Sequence, residues 1–306
     1  MANTIGWGQA AVNNTIDWGK GKTNNTIGWG TIYSSSPYGD TDLIGTPAGD
    51  ADALAFIAAA AITDSTQKSA IDKLVVDLKG YGIWTKMKAL YPFVGGTASQ
   101  HKFNLKNPLD TDAAFRLTFN GGWTHSSNGA LPNGTNAYAN TFLNPLTQTT
   151  ANSLSFNYYS RTNIDANGFH VFSGAIEAPN YLQYFQNQNS IYYDTYDPQV
   201  YGGRILVPNT KTYGNFLGNR TGNTKQIYIN SAKILPTDPN VSSGQGGARP
   251  NLNLYLAAMN TVGNTAIFFS GLQCAFSSIG DGLTDTQALN YNTAIQAFQT
   301  TLGRNV

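Results

Sequence analysis

The chain has 306 residues, of which 41% are hydrophobic and only 11% are charged. With 18 basic against 17 acidic side chains the formal net charge is +1, and no basic run occurs, so we expect neither a nucleic-acid partner nor an anionic membrane. No secretory signal begins the chain, so we do not expect export by the usual route, and the longest apolar run, near residues 54–62, is too short to span a bilayer.

The first thirty residues contain one motif three times, Asn-Thr-Ile-Gly/Asp-Trp-Gly, at a spacing of eleven residues. The glycines and the Asn-Asn-Thr junctions disfavour a helix, and so short a segment cannot form a core around its own tryptophans. We therefore predict that residues 1–45 are an extended docking arm and linker. Its docking side chains are Ile5, Trp7, Ile16, Trp18, Ile27 and Trp29. A low-complexity leader or the start of a small β-solenoid is the alternative.

A short helical neck is predicted over residues 46–92. Its helices are predicted over residues 53–61, 65–78 and 83–90. Asp50 or Asp52 is expected to cap the first helix, and Asp64 or Ser65 the second. The first helix is rich in alanine and has apolar residues on more than one face, which favours self-association as a dimer or trimer.

Residues 93–306 are predicted as a mainly β head. Short runs rich in aromatic and branched residues alternate with turn clusters, which is typical of a two-sheet sandwich with one shared core. The clearer strands are predicted over residues 114–119, 138–142, 153–160, 169–173, 181–185, 191–193, 216–219, 226–229, 232–235, 252–259 and 268–278. Asn230-Ser231 predicts a hairpin turn, and Thr284 with Gln287 predicts a capping box that starts a C-terminal helix.

Several segments resemble structural proteins of tailed bacteriophages that carry a concanavalin A-like jelly-roll domain. These segments are residues 91–96, 121–123, 137–139, 225–231, 279–283 and 296–304, and the resemblance covers roughly residues 50–306. The Trp-Gly repeats resemble attachment segments in virion proteins of crAss-like gut phages, among them head fibres.

The resemblance implies a concanavalin A-like jelly roll on the outer surface of a virion, assembled in the host bacterial cytoplasm. The expected partners are capsid or other virion proteins. A tail or collar receptor-binding protein is the alternative location for the same architecture.

Glycan hydrolysis would need two carboxylates held at a defined separation. The chain has one glutamate, Glu177, which an Ala-Pro turn follows, while Asp194 and Asp197 are expected to cap turns. We therefore predict a protein that is not an enzyme, with a glycan-hydrolysing enzyme as the less favoured alternative.

The metal-binding residue types are sparse. His101, His125 and His170 show no helical pairing and have no acidic cluster beside them, so we predict scattered histidines, no metal and no cofactor. The single cysteine, Cys274, lies in an apolar run and is predicted to be a buried small hydrophobe.

Two tyrosine-rich stretches, Tyr158-Tyr159-Ser160-Arg161 and Tyr192-Tyr193-Asp194, place flat rings beside hydrogen-bonding groups. Sugars have apolar faces and hydroxyl edges that suit such groups. We therefore predict weak recognition of a host or mucus glycan through Tyr159, Arg161, Tyr192 and Asp194. The alternative is a decorative head whose tyrosines fill the core.

Overall fold

A computed structural model describes residues 49–196, 204–234 and 247–306, together with the backbone of two short strands nearer the N-terminus. The chain forms two compact units, Met1–Gly49 and Asp50–Val306. Within the first unit, strands β1 (Lys22–Asn24) and β2 (Tyr33–Ser35) pair antiparallel. The docking side chains predicted in the three repeats lie outside the described residues, so the docking arm stays a prediction.

The second unit contains five α-helices in its described part. They are α1 (Ala51–Ala59), α2 (Ser65–Gly80), α3 (Ala98–His101), α4 (Pro145–Gln148) and α5 (Asp285–Thr301). Its strands are β3 (Met87–Tyr91), β4 (Thr118–Asn120), β5 (Trp123–Ser126), β6 (Gly129–Pro132), β7 (Tyr138–Asn140), β8 (Ser153–Ser160), β9 (His170–Glu177), β10 (Asn180–Asn187), β11 (Ser190–Thr195), β12 (Ile205–Pro208), β13 (Gly214–Thr221), β14 (Thr224–Ile229), β15 (Ala232–Ile234), β16 (Tyr255–Leu256), β17 (Met259–Thr261), β18 (Thr265–Ile267) and β19 (Cys274–Gly280). No helix in the described part of the chain is long and apolar enough to cross a membrane.

Two large sheets form a sandwich. The back sheet has the order β15-β14-β13-β8-β19-β6-β5, with β3 also beside β19, and the front sheet has the order β12-β11-β10-β9-β16-β7-β4. Strand β17 extends the front sheet by pairing with β9 in parallel and with β18 antiparallel. The other pairings are antiparallel, so the predicted mainly β sandwich with a C-terminal helix is confirmed.

Alternation along the strands places the main core between the sheets. In β8, Leu154, Phe156 and Tyr158 are buried in the cluster shared with the front sheet, because every second side chain points to the same face. Tyr158 packs against Phe172 of the front sheet with ring centroids 5.2 Å apart. Phe156 meets Tyr184 of the front sheet edge to face at 6.0 Å. The aromatic rings therefore join the two sheets.

A second core lies between the outer face of the back sheet and the helices. Helix α2 buries its apolar face there, with Ile71, Leu74, Val75 and Leu78. Helix α5 contributes Ile295 and Phe298, and the Phe298 ring lies 5.8 Å from that of Phe276 in β19. The helices predicted as a neck thus pack on the sandwich, and they belong to the same compact unit as the head. Asp64 caps α2, and Thr284 with Gln287 forms the predicted capping box of α5.

Buried amides position α5 on the back sheet. The side-chain amide of Asn157 donates to Asn215 at 2.5 Å, and the amide of Asn215 donates to Asn292 of α5. The hydroxyl groups of Ser278 and Tyr291 lie 2.7 Å apart in the same layer. Because buried amides need specific partners, this layer favours one register of the helix over others.

The helix predicted over residues 83–90 is wrong. A short 3-10 turn, Trp84–Lys86, leads into strand β3, which pairs with β19. Ala89 and Tyr91 are buried in the core between the sheets, and Met87 and Leu90 are buried against the helices. Pairing with the sheet therefore outweighs the weak local preference for a helix. Strands β5 and β6, joined at Gly129 with φ +120°, had also not been predicted.

Candidate ligand-binding face

Tyr159 lies in β8 of the back sheet, Arg161 follows that strand, and both contact the last residues of the chain. Tyr159 is 0% exposed; its hydroxyl donates to Gln296 Oε1 at 3.4 Å and accepts from the Val306 backbone N–H at 3.0 Å. Arg161 Nε donates to the Arg304 carbonyl at 2.9 Å. Both residues hydrogen-bond to the C-terminal residues. Because Tyr159 is buried, its ring cannot stack on a sugar.

Tyr192 and Asp194 lie on the opposite side of the molecule, on the outer face of the front sheet. They alternate along β11 with Ile191 and Tyr193, which point into the core between the sheets. The four predicted glycan contacts therefore do not form one site. The sequence pattern could not reveal this, because each tyrosine pair places one ring on each face of its own strand.

Asp194 is bound by Arg204, which lies ten residues further along the chain and which no sequence motif links to it. The carboxylate is 2% exposed, and it accepts from Arg204 Nε at 2.9 Å and from Arg204 Nη2 at 2.7 Å. Such a bidentate pair fixes both side chains. The guanidinium carbon lies 5.4 Å from the Phe185 ring centroid and 5.5 Å from that of Tyr192, within the range of cation–π contact.

Four rings form a row across this outer face, which we call the aromatic row: Phe268, Phe169, Phe185 and Tyr192. Successive ring centroids lie 4.9, 4.8 and 4.8 Å apart. The rings of Phe185 and Tyr192 are parallel to within 3°. Phe185 and Tyr192 are directly opposite each other on β10 and β11, so the pairing of these strands sets the spacing of these two rings.

The row becomes more exposed toward Phe268. Phe185 is buried, Phe169 and Tyr192 are half-buried, and Phe268 is 52% exposed. Phe268 stands at one end of the row, tilted by 45° to Phe169, and it is the most exposed of the four rings. The row thus ends in a ring that is about half exposed.

The backbone at Phe268 has φ +58°. A bulky residue in the left-handed region carries strain of about 1–3 kcal/mol, and such strain often occurs at functional sites. The surrounding fold therefore holds the backbone of Phe268 in an unfavourable conformation while its ring is exposed.

Neutral polar groups share this face with the row. The ring of Tyr138 stacks on Tyr255 at 4.5 Å, and the Tyr255 hydroxyl donates to the Asn264 carbonyl at 3.3 Å. Asn140 is half-buried on the same face as Tyr138, since Ala139 between them points into the core. Amides and hydroxyls of this kind can hydrogen-bond to sugar hydroxyl groups.

Glu177, the single glutamate, ends strand β9. Its Oε2 accepts from the Asn251 backbone N–H at 2.6 Å, in a turn as the sequence suggests. The other carboxylate in the described strands of the front sheet is Asp194, which Arg204 engages. Both carboxylates have structural partners.

Two of the three histidines meet, contrary to the scattered arrangement that was predicted. The Nδ1 atoms of His101 in α3 and His125 in β5 lie 2.9 Å apart. Burial lowers the pKa of His101 to about 3, helped by the nearby charges of His125 and Arg304, and burial also lowers the pKa of His125. The pairing escaped the sequence reasoning because β5 had not been recognised as a strand.

The described residues contain no cluster of three or more His, Cys, Asp or Glu side chains suited to a metal ion. His170 lies apart from the other two histidines, with Nε2 2.8 Å from the Asp165 carbonyl. Cys274 is buried as predicted, and burial raises the pKa of its thiol.

No protein-family model and no curated protein matches this chain. Among solved structures, a Trypanosoma rangeli sialidase in complex with 2,3-difluoro-KDN is 8% identical over 74% of this chain and 39% of its own, with a TM-score of 0.47. The same sialidase with the inhibitor DANA is 10% identical over 58% of this chain and 30% of its own, with a TM-score of 0.42. The binding domain of botulinum neurotoxin serotype D is 10% identical over 69% of this chain and 51% of its own, with a TM-score of 0.43.

The chain thus spans about a third to a half of the length of these proteins. At such identities and TM-scores the likeness is confined to sheet-rich architecture, and it says nothing about ligand or reaction.

Proposed function

We propose that the unit Asp50–Val306 is a non-catalytic, glycan-binding head. The observation that carries this proposal is the aromatic row on the outer face of the front sheet, which ends in the exposed ring of Phe268, where the backbone is left-handed. A sugar ring has an apolar face that stacks on an aromatic ring and hydroxyl groups that need hydrogen-bond partners. The row and its polar neighbours supply both kinds of contact.

The head is proposed to lack hydrolytic activity because of its carboxylates. A retaining or inverting mechanism needs two of them at a defined separation, one with a raised pKa. Asp194 is bound bidentately by Arg204, and Glu177 accepts a backbone hydrogen bond in a turn. These partners favour structural roles for both groups.

The whole chain is proposed to be a virion appendage, a head fibre or similar, that docks through the repeats of its first thirty residues. Three tryptophans at equal spacing suit three equivalent pockets on a repetitive partner surface. Self-association as a dimer or trimer would add avidity, and the exposed Leu54 and Ala58 on α1 support it. A tail or collar receptor-binding protein would use the same head at another place on the particle.

Replacing Phe268 with alanine is expected to weaken glycan binding about tenfold or more, because loss of one ring-stacking contact of ~1.5 kcal/mol has that effect. The measurement is a glycan array probed with the full chain, displayed multivalently so that avidity is retained. Leu109→Ala is the matched control, since Leu109 is also a large exposed hydrophobic residue, 60% against 52% for Phe268, but lies outside the aromatic row. Equal binding by the Phe268 variant and the native chain, or no glycan bound by the native chain, would contradict the proposal.

Deleting residues 1–30 is expected to abolish attachment to phage particles while the head stays folded, because both large cores lie within the unit Asp50–Val306. Particle-bound protein is measured by sedimentation with purified virions, and folding by circular dichroism. A triple variant that changes Trp7, Trp18 and Trp29 to alanine keeps the length of the arm and tests its anchors. Retention of the truncated chain on virions would count against docking through the repeats.

A further inference from the structure

We infer that Asn167 is a site of spontaneous covalent modification, namely deamidation through a cyclic succinimide formed with Gly168. The reaction needs an asparagine side chain that can turn and a following backbone nitrogen that can approach it, which a glycine permits best because it has no Cβ. Four Asn-Gly pairs occur in the chain, beginning at Asn120, Asn128, Asn133 and Asn167. The structure restrains three of these pairs and leaves the fourth accessible to the reaction.

The reaction needs water and no other reagent. The backbone nitrogen of Gly168 loses its proton and attacks Cγ of Asn167, which forms the N–Cγ bond of the succinimide. The bond from Cγ to Nδ2 then breaks, and Nδ2 leaves as ammonia with the proton. Water opens the ring at one of its two carbonyl carbons. Opening at the main-chain carbonyl gives isoaspartate, and opening at the side-chain carbonyl gives aspartate.

The side chain of Asn133 is fixed by four hydrogen bonds. Its Oδ1 accepts from the backbone N–H groups of Thr135, Asn136 and Ala137 at 3.0, 3.1 and 3.2 Å. Its Nδ2 donates to Asn136 Oδ1 at 2.8 Å. Ring closure turns Cγ toward the backbone nitrogen of Gly134, so these contacts would have to break together. We therefore expect Asn133 to react slowly in the folded chain.

The glycines that follow Asn120 and Asn128 pack closely against other segments. A Cβ placed on Gly121 would lie 2.2 Å from the Asn136 carbonyl oxygen, and one on Gly129 would lie 2.2 Å from the Cys274 carbonyl oxygen. Gly129 is also buried and pairs with Ser126 in the β5–β6 hairpin. The nitrogen atoms of both glycines therefore cannot move toward the preceding side chain without local opening of the fold.

Asn167 is exposed, and its side-chain amide makes no hydrogen bond within the described residues. The Gly168 N–H donates to the Asp165 carbonyl at 3.2 Å, and the Asn167 carbonyl accepts from the Gln188 N–H at 3.3 Å. Both distances are at or beyond the long end of the usual range for such bonds. Because few contacts have to break, this loop needs the least opening for the reaction.

The modification would change the segment that leads into the aromatic row. Gly168 immediately precedes Phe169, whose ring stacks between those of Phe185 and Phe268. Aspartate adds a negative charge at position 167, and isoaspartate also adds a carbon atom to the main chain before Phe169. The reaction itself does not depend on the proposed glycan-binding function.

The test compares the folded full chain with the same chain unfolded in guanidinium chloride, both incubated in mildly alkaline buffer. Peptide mass spectrometry measures the loss of each of the four asparagines, and chromatography separates the aspartate and isoaspartate peptides. We expect Asn167 to react in the folded chain within about tenfold of its rate in the unfolded chain, and the other three to be slowed more than tenfold. Protection of Asn167 equal to that of Asn133, or faster reaction at any of the other three, would overturn the inference.

Two glycine variants test the mechanism. Gly168→Ala places a methyl group beside the attacking nitrogen and should slow deamidation of Asn167 severalfold in the folded chain. The new methyl group would lie 2.9 Å from His170 Nε2, at the end of a side chain that can shift. Gly271→Ala is the matched control, because its Cβ has open space around it and no asparagine precedes it. Equal rates at Asn167 in the two variants would contradict ring closure through Gly168.

Discussion

Replacing Arg304 with methionine is expected to lower the free energy of unfolding by about 3–5 kcal/mol, because it removes a buried cation from acceptors that would lose their partners. Arg304 is fully buried. Nη1 donates to the Phe93 carbonyl at 2.9 Å, and Nη2 donates to the carbonyls of Pro92 and Ala275, each at 3.1 Å. Its Nε donates to Gln299 Oε1 at 2.9 Å.

These contacts join Arg304, three residues beyond α5, to the segment that follows β3 and to strand β19. The substitution would therefore remove the hydrogen bonds that hold the C-terminal residues against the back sheet. Urea unfolding followed by tryptophan fluorescence measures the change, and the expected fall in Tm is on the order of 10 °C.

Two other substitutions serve as controls for Arg304→Met. Arg304→Lys keeps the charge but loses the planar fork of donors, so it should fall between the native chain and the methionine variant. Arg116→Met removes an arginine whose partners, Asp110 and Asp112, lie at the surface, and it should leave the midpoint unchanged within error. Equal effects of the methionine changes at Arg304 and Arg116 would refute the role assigned to Arg304.

The strands were predictable where burial produces a regular alternation of side chains along the sequence. The strand predicted over residues 153–160 coincides with β8, because one of its faces lies in each core. The hairpin at Asn230-Ser231 and the capping box at Thr284 are local signals, and both are present. The segment 83–90 failed because its helical pattern is short and its strand partner, β19, lies far along the chain.

The ligand-binding face was predictable only in part. Tyr192 and Asp194 do lie at the aromatic row, but Tyr159 has the same local sequence character and is buried by α5 and the C-terminus. Tertiary packing decides which face of a strand a helix covers. The residues next to the tyrosine in the sequence therefore do not show whether its ring is covered. Phe268 is the first residue of the strand predicted over residues 268–278, whereas its backbone is left-handed, its ring is exposed and the strand itself begins at Cys274.

The buried pair His101 and His125 should make the folded protein less stable in acid, because both rings are held in the neutral state. Burial lowers the pKa of both rings, that of His101 to about 3. An unfolded chain takes up a proton on each ring below a pKa of about 6.5, whereas the folded chain does not. The stability from this pair is therefore complete above about pH 7, falls as the pH drops below about 6.5, and for His101 continues to fall until its folded pKa.

Lowering the pH from 7 to 5 is accordingly expected to cost about 2 kcal/mol of unfolding free energy through His101, since each pH unit below 6.5 is worth ~1.4 kcal/mol for one such group. Urea titrations at half-unit steps of pH would give the slope. In His101→Gln the loss of unfolding free energy between pH 7 and pH 5 should be smaller by about 2 kcal/mol, because glutamine does not titrate. His125→Gln provides a second variant if the first is poorly folded. His170→Gln, which lies outside this pair, should keep the native slope. A slope that stays the same in both folded variants at positions 101 and 125 would show that other groups cause the acid sensitivity.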